Sequence, residues 1–192
     1  MSPRKRRTAA AVGAFPPTDG ASQSRLLEAI ARVDFTTFVH RCFTSLSPGA
    51  RFDPNWHVEA MAYHLEQVRL GKIKRLIINM PPRSLKSIVS SVAFPAYFLG
   101  HDPTKRLICV SYGSDLATKH ANDCRSIMKA TWYRKLFPQT LVSSLKDTEG
   151  EFLTTRNGYR LTTSLDGTLT GRGGDVIIID DPPQADRCPV GR

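Results

Sequence analysis

The sequence predicts an α/β protein with a largely parallel β-sheet flanked by helices. Short apolar runs alternate with longer segments of helical periodicity, which is the pattern of strand–helix–strand units. The apolar runs are continuous, which is typical of parallel strands covered on both faces. One pair of Thr-rich runs around Asn-Gly predicts an inserted β-hairpin. With 192 residues, the chain is long enough for one domain with a sizeable core.

The first half of the chain begins with a basic segment rich in Ala, Gly, Pro and Ser, residues 1–24, which predicts a disordered tail. We expect one domain over residues 25–192. Helical periodicity covers residues 25–47 and 57–71, and Gly71 is a typical helix stop. The predicted elements that follow are a strand over 75–80, a tight loop, and a helix from Lys86 to Leu99 that Pro95 bends.

The second half contains a second apolar strand, "RLICVSY" at 106–112, and one long helix that Asp115 caps and that ends at Phe137. "EFLTTRNGYRLTTS" predicts a hairpin with a type I′ turn at Asn157-Gly158. The glycine-rich loop 166–175 leads into "VIIIDD", a buried strand closed by two carboxylates.

Charge is the main compositional signal. The chain has 27 Lys and Arg against 17 Asp and Glu, a net charge of +10. Such an excess favours a polyanionic partner, with nucleic acid first. The alternative is that the charge only keeps the protein soluble.

The cysteines and the hydropathy indicate a cytosolic protein. The four cysteines are scattered, with no C-x-x-C pair, which predicts reduced thiols that mainly pack: Cys42, Cys109, Cys124 and Cys188. Runs of about 18 apolar residues are absent from the sequence, so no membrane span is expected.

The loop "PPRSLKS", residues 81–87, has the layout of a phosphate-binding loop between a strand and a helix. Backbone N–H groups from Ser84 to Ser87 can surround a phosphate, Lys86 adds a positive charge, and the Ser87 hydroxyl can bind Mg²⁺. However, Leu85 and Met80 stand where the motif G-x-x-x-x-G-K-[ST] has glycines. A β-carbon in a left-handed conformation costs about 1–2 kcal/mol. The alternative is an ordinary surface loop.

Two acids complete a possible nucleotide site. Asp180 and Asp181 end the apolar strand 176–181. A carboxylate at the end of a strand beside the phosphate loop can bind Mg²⁺, and the next acid can orient or deprotonate the attacking water. We therefore assign the metal to Asp180, with Ser87, and the base to Asp181. Each motif alone is weak, but together they favour a nucleoside triphosphate site.

Three stretches together resemble a known family. "LIINMPPRSLKS", "ICVSYGSDLATKHANDCRSIM" and "GTLTGRGGDVIIIDDP" are similar to the ATPase part of the large terminase subunits of tailed bacteriophages and prophages. The similarity covers about residues 35–183. It implies a P-loop NTPase-like fold of the ASCE type, incomplete at the C-terminus. The nuclease domain of the family is absent, which implies a truncated prophage product.

The resemblance also implies roles for individual residues. The family's loop resembles "PPRxGKS", which implies cofactor binding by Pro82, Arg83, Ser84, Leu85, Lys86 and Ser87. Arg83 is implied to act on the γ-phosphate, with a plain surface charge as the alternative. The family's catalytic acid is typically Glu, and Asp181 in its place is one methylene shorter.

Other residues are less specific. Arg172 is a candidate arginine finger or DNA contact, although a charged residue in a glycine-rich turn is the favoured interpretation. Trp56 is expected to pack beside the adenine or in the core. His57 and His120 lack partners at metal-ligand spacing, so both are taken as structural or exposed.

The function that the resemblance implies is coupling of ATP hydrolysis, with Mg²⁺, to translocation of double-stranded DNA in the cytoplasm of a bacterial host. The implied partners are the terminase small subunit, the portal protein and further copies of the chain, with no membrane involved. Two alternatives stay open: an inactive nucleotide- or DNA-binding remnant, and a helicase-like P-loop ATPase. Truncation and Leu85 leave turnover itself undecided.

Overall fold

An open, mixed sheet of five strands is flanked by helices in the computed structural model, which describes residues 20–165, 167, 169 and 171–182. The α/β class is therefore confirmed. In chain order the elements are α1 (Gly20–Val33), α2 (Phe35–Leu46), α3 (Trp56–Arg69), a π-helical segment (Ile88–Ala93), α4 (Phe94–His101), β1 (Arg106–Ser111), α5 (Ser114–Lys129), α6 (Thr131–Leu136), β2 (Val142–Asp147), β3 (Glu151–Thr154), β4 (Tyr159–Ser164) and β5 (Val176–Asp180).

The sheet is half parallel and half antiparallel. Its spatial order is β2-β3-β4-β1-β5, with β1 parallel to β4 and β5, and β3 antiparallel to β2 and β4. The predicted largely parallel sheet is wrong because the inserted hairpin joins the same sheet instead of lying apart from it. In the parallel part, Ser111 lies opposite Asp180, so the carboxyl ends of β1 and β5 meet at one edge.

The predicted hairpin is confirmed as β3 and β4, but its turn differs from type I′. The Asn157 N–H donates to the Thr154 carbonyl at 3.1 Å, and Asn157 has φ 64°. Gly158 has no positive φ, which a type I′ turn would require. A Cβ on Gly158 would lie 2.3 Å from the Pro103 carbonyl oxygen. Glycine is therefore needed at this position for a close backbone contact.

The predicted strand over residues 75–80 is not formed. These described residues pair with no strand, and they face β5 across a cleft of about 810 Å³. Because β5 is then an edge strand, Ile177 and Ile179 are 60% and 57% exposed. The prediction that β5 is buried on both faces is wrong for the same reason.

The helix after the loop begins at Lys86 and widens into the π-helical segment before α4. Pro95, in the first turn of α4, has no N–H to donate to the carbonyl of Ser91, four residues earlier. The guanidinium of Arg160, on β4, donates to that carbonyl instead, at 3.1 Å. The predicted bend at Pro95 is thus expressed as a wide helical turn with a replacement donor from the sheet.

The other helices differ from the sequence-based expectation at three boundaries. α1 begins at Gly20, so residues 20–24, predicted to be disordered, are helical, whereas residues 1–19 lie outside the described chain. Asp34 separates α1 from α2 and accepts the Thr37 N–H at 2.6 Å as an N-cap. The long helix expected from Asp115 is two helices, α5 and α6, because Ala130 is extended with ψ 143°.

The core contains an aromatic cluster that α2 shares with α4 and α6. Phe38 is fully buried, and the rings around it belong to Phe35, Tyr97, Trp132, Tyr133 and Phe137. Among the described residues, no helix is long and apolar enough to cross a membrane.

Three of the cysteines are free and buried, as predicted: Cys42, Cys109 and Cys124. Burial raises the pKa of Cys124 to about 12, so its thiol stays protonated at neutral pH. Cys188 lies outside the described residues.

The Tyr133→Phe variant tests this packing. The buried Tyr133 hydroxyl donates to the Ala96 carbonyl at 2.8 Å. Losing this hydrogen bond should lower the free energy of unfolding by about 1 kcal/mol in urea titrations. Tyr63→Phe is the control, because Tyr63 is 63% exposed and should change stability little. Equal losses in the two variants would contradict the packing described.

Candidate functional site

The candidate site lies where the loop meets the carboxyl end of β5. Lys86 and Ser90, from the start of the helix, and Asp180 and Asp181, from the end of β5, all line the 810 Å³ cleft. Its walls are residues 73–78 on one side and Gly174 to Ile179 on the other. The cleft therefore has a mainly apolar slot between two backbone segments, with Lys74, Arg75 and Asp175 among its wall residues, and a charged end at Lys86.

The loop adopts left-handed conformations at residues without glycine. Arg83 has φ 64° and Leu85 has φ 62°. The backbone at Leu85 thus bends as the motif's glycine would, at a cost of about 1–2 kcal/mol for the β-carbon. The Leu85 side chain is half-buried against the core, and this contact offsets part of that cost. Between the two bends, the buried Ser84 hydroxyl has no hydrogen-bond partner.

Lys86 is ion-paired with Asp181, not with Asp180. Its Nζ donates to Asp181 Oδ1, and Asp181 has φ 50° immediately after β5 ends. The Asp181 side chain is 53% exposed, so solvent screens the pair and limits its contribution to stability. In this arrangement the lysine predicted to bind a phosphate and the acid predicted to act as the base neutralise each other.

Asp180 is buried and is held from behind the cleft. Its Oδ2 accepts the Ser91 hydroxyl at 3.0 Å, and His120 Nδ1 lies 3.7 Å from the same oxygen. Burial of the imidazole lowers the pKa of His120 despite the nearby carboxylate, so the ring is neutral at neutral pH.

The sequence pattern did not reveal Ser91 and His120 as the neighbours of Asp180. His120 lies on the buried stripe of α5, with Ala117, Ala121 and Cys124 at helical spacing. That position was the available signal for burial. Nothing in the sequence pattern indicates that the stripe faces Asp180.

The other predicted site residues lie outside the cleft lining. Pro82 and Arg83 are exposed in the loop, and Ser87 is half-buried at the start of the helix. The structure therefore brings together Lys86 and the two acids. It does not bring Arg83 or Ser87 to the cleft surface.

The less specific candidates are resolved by their contacts. Arg172 is ion-paired with Glu151 and lies over the Tyr159 ring at 5.1 Å, which supports the interpretation as a structural charge. Trp56 is 75% exposed, so placement in the core is wrong. His57 is half-buried beside Trp56, and His120 is buried.

The residues present fit a phosphate and a hard cation. The left-handed loop and the Lys86 charge suit a phosphate, whereas the unpartnered Ser84 hydroxyl is buried and lies outside the cleft lining. The described residues contain no group of three or more His, Cys, Asp or Glu side chains placed to hold a metal. Mg²⁺ in nucleotide sites needs fewer, because one or two carboxylates act with the phosphates and water.

Comparison with known proteins gives no match: no protein-family model, curated protein or solved structure corresponds to the chain.

The depressed pKa of His120 predicts a pH dependence of stability. Below pH 6.5, the ordinary value, the unfolded chain binds a proton at this residue that the folded protein does not. Stability should therefore fall as the pH falls below about 6.5, by up to about 1.4 kcal/mol per pH unit for the buried His120. His101, whose pKa burial of its ring against Tyr97 and Phe137 also lowers, adds less to the slope because the residue as a whole is exposed.

Urea titrations of the wild type and of His120→Asn at several pH values measure this slope. The variant should show a shallower dependence, and the double variant with His101→Asn should be shallower still. Parallel curves for the wild type and the double variant would contradict a neutral, buried His120.

Proposed function

We propose that the chain binds ATP with Mg²⁺ at the charged end of the cleft and hydrolyses it. The observation that carries this proposal is the convergence of Lys86 and the acids that end β5, although Lys86 and Asp181 are 95 residues apart in sequence. A lysine at a loop–helix junction opposite strand-end acids is the arrangement that P-loop NTPases use for phosphoryl transfer.

Each residue at the charged end of the cleft has a separate role in this proposal. Backbone N–H groups of the loop and Lys86 bind the β- and γ-phosphates, and Ser87 and Asp180 would hold Mg²⁺. The metal, when bound, neutralises charge on the transferred phosphoryl group. A phosphate that takes the place of Asp181 at Lys86 releases the Asp181 carboxylate, which can then accept a proton from water. Arg83, exposed in the loop outside the cleft lining, is assigned to the γ-phosphate on the resemblance alone.

We propose further that this is a P-loop ATPase module of a DNA-packaging terminase large subunit. The support is the similarity of the three motif stretches and the net charge of +10, which suits double-stranded DNA. On this proposal ATP hydrolysis drives DNA translocation, and the small subunit, the portal protein and other copies of the chain are the partners.

A second candidate function is nucleotide binding without turnover. The Lys86–Asp181 ion pair favours it, because the pair neutralises both the phosphate-binding lysine and the assigned base. The two functions differ in one measurable quantity, the rate of ATP hydrolysis.

Lys86→Ala is the direct test. Removal of a charge-assisted contact to phosphate should weaken ATP binding about tenfold to a hundredfold in calorimetric titrations and abolish DNA-stimulated hydrolysis. Lys135→Ala is the control, since Lys135 is an exposed lysine on α6. Equal affinities of Lys86→Ala and the wild type would refute the site. Tight, lysine-dependent binding without hydrolysis would leave the second function.

Asp181→Asn separates binding from turnover. The substitution removes the partner that competes with phosphate for Lys86, together with one negative charge at the cleft. ATP should therefore bind several-fold more tightly while hydrolysis falls, because the base is lost. Weaker binding by this variant would show that Asp181 does not compete with the nucleotide.

A further inference from the structure

We propose that Ser91 and His120 are positioning residues for the Asp180 carboxylate. On this proposal they hold Oδ2 from behind, so that Oδ1 faces the cleft and can bind Mg²⁺. The inference rests on the proposed nucleotide site and adds to it two residues that its motifs do not contain.

Ser91 already forms a hydrogen bond with Asp180. Its hydroxyl is buried and donates to Asp180 Oδ2 at 3.0 Å. The backbone of Ser91 is itself fixed, because Arg160 donates to its carbonyl at 3.1 Å and is 1% exposed. A continuous chain of buried polar contacts thus runs from β4 through the π-helical segment to β5.

His120 lies near Asp180 but does not form a hydrogen bond with it. Its Nδ1 is buried, has no hydrogen-bond partner and lies 3.7 Å from Asp180 Oδ2. Buried polar nitrogens are almost always hydrogen-bonded, so an unpartnered one beside a carboxylate needs an explanation. A movement of about 0.5–1 Å would bring Nδ1 within donor range. A side-chain rotation of His120 or Asp180 of that size would complete the hydrogen bond.

The other oxygen is free for the cation. Asp180 Oδ1 accepts no hydrogen bond from the described residues, and Asp180 lines the cleft. A carboxylate that binds metal through one oxygen is commonly oriented by donors to the other. Ser91 and His120 would be these donors, and a purely packing role for His120 is the alternative.

The test compares His120→Leu, which keeps the bulk and removes Nδ1, with His120→Asn, whose side-chain amide places a donor near the position of Nδ1. The Mg²⁺ concentration for half-maximal binding of a fluorescent ATP analogue is measured for each. Binding of the same analogue in EDTA is measured alongside. His64→Leu, at an exposed histidine on α3, is the control, and thermal unfolding confirms that each variant is folded.

We expect His120→Leu and Ser91→Ala to raise the Mg²⁺ midpoint about tenfold or more, as loss of an outer-shell partner does. Analogue binding in EDTA should stay unchanged, and His120→Asn should restore most of the midpoint. A purely packing role would weaken both kinds of binding, and Leu would then be tolerated at least as well as Asn.

Three results would overturn the inference. An unchanged Mg²⁺ midpoint in His120→Leu would do so with the nucleotide site intact, and equal losses in the Leu and Asn variants would exclude the hydrogen bond. Absence of Mg²⁺-dependent analogue binding by the wild type would remove the proposed function and this inference together.

A second measurement, the unfolding temperature of the variants without metal or nucleotide, does not depend on ligand binding. If His120 acts on Asp180, the unfolding temperature of His120→Leu with Asp180→Asn should not equal the sum of the single shifts. Additive shifts would contradict any direct coupling between the two side chains.

Discussion

The contact between the Ser91 hydroxyl and the buried Asp180 carboxylate connects the helix after the loop to the edge of the sheet. Asp180 is 3% exposed, and a buried carboxylate is tolerated only when donors satisfy it. Arg160 ties the same turn of helix to β4 through the Ser91 carbonyl. The position of Lys86, five residues before Ser91, follows from these two attachments. The acids of β5 and the lysine therefore meet because a polar contact beneath them aligns their elements.

The loop shows how a bend of the kind predicted to bind phosphate can exist without glycine. Leu85 and Arg83 both have left-handed backbone conformations, and side chains disfavour these conformations. Leu85 gains contact with the core in return, whereas Arg83 is exposed and gains none that the structure shows. The Ser84 hydroxyl between them is buried and makes no hydrogen bond, so the loop's conformation is not stabilised by a side-chain hydrogen bond at this residue.

Local features were predictable from the sequence, and long-range pairings were not. α3, β1 and the hairpin follow from periodicity and turn residues, and all three are present. The strand expected at 75–80 is absent because strand formation depends on a neighbour, and an apolar run does not reveal which neighbour it has. At the site, Lys86 and the β5 acids were predicted from motif spacing. The role of His120 could not be predicted, because the sequence does not show that the buried face of α5 brings His120 next to Asp180 at the end of β5.

The most direct measurement is the location of the metal in crystals grown with Mn²⁺ and a non-hydrolysable ATP analogue. The account predicts an anomalous peak between the Asp180 carboxylate and the phosphates, with Lys86 turned from Asp181 to the phosphates. An analogue bound elsewhere on the protein, or a peak remote from Asp180 with the Lys86–Asp181 pair intact, would contradict it.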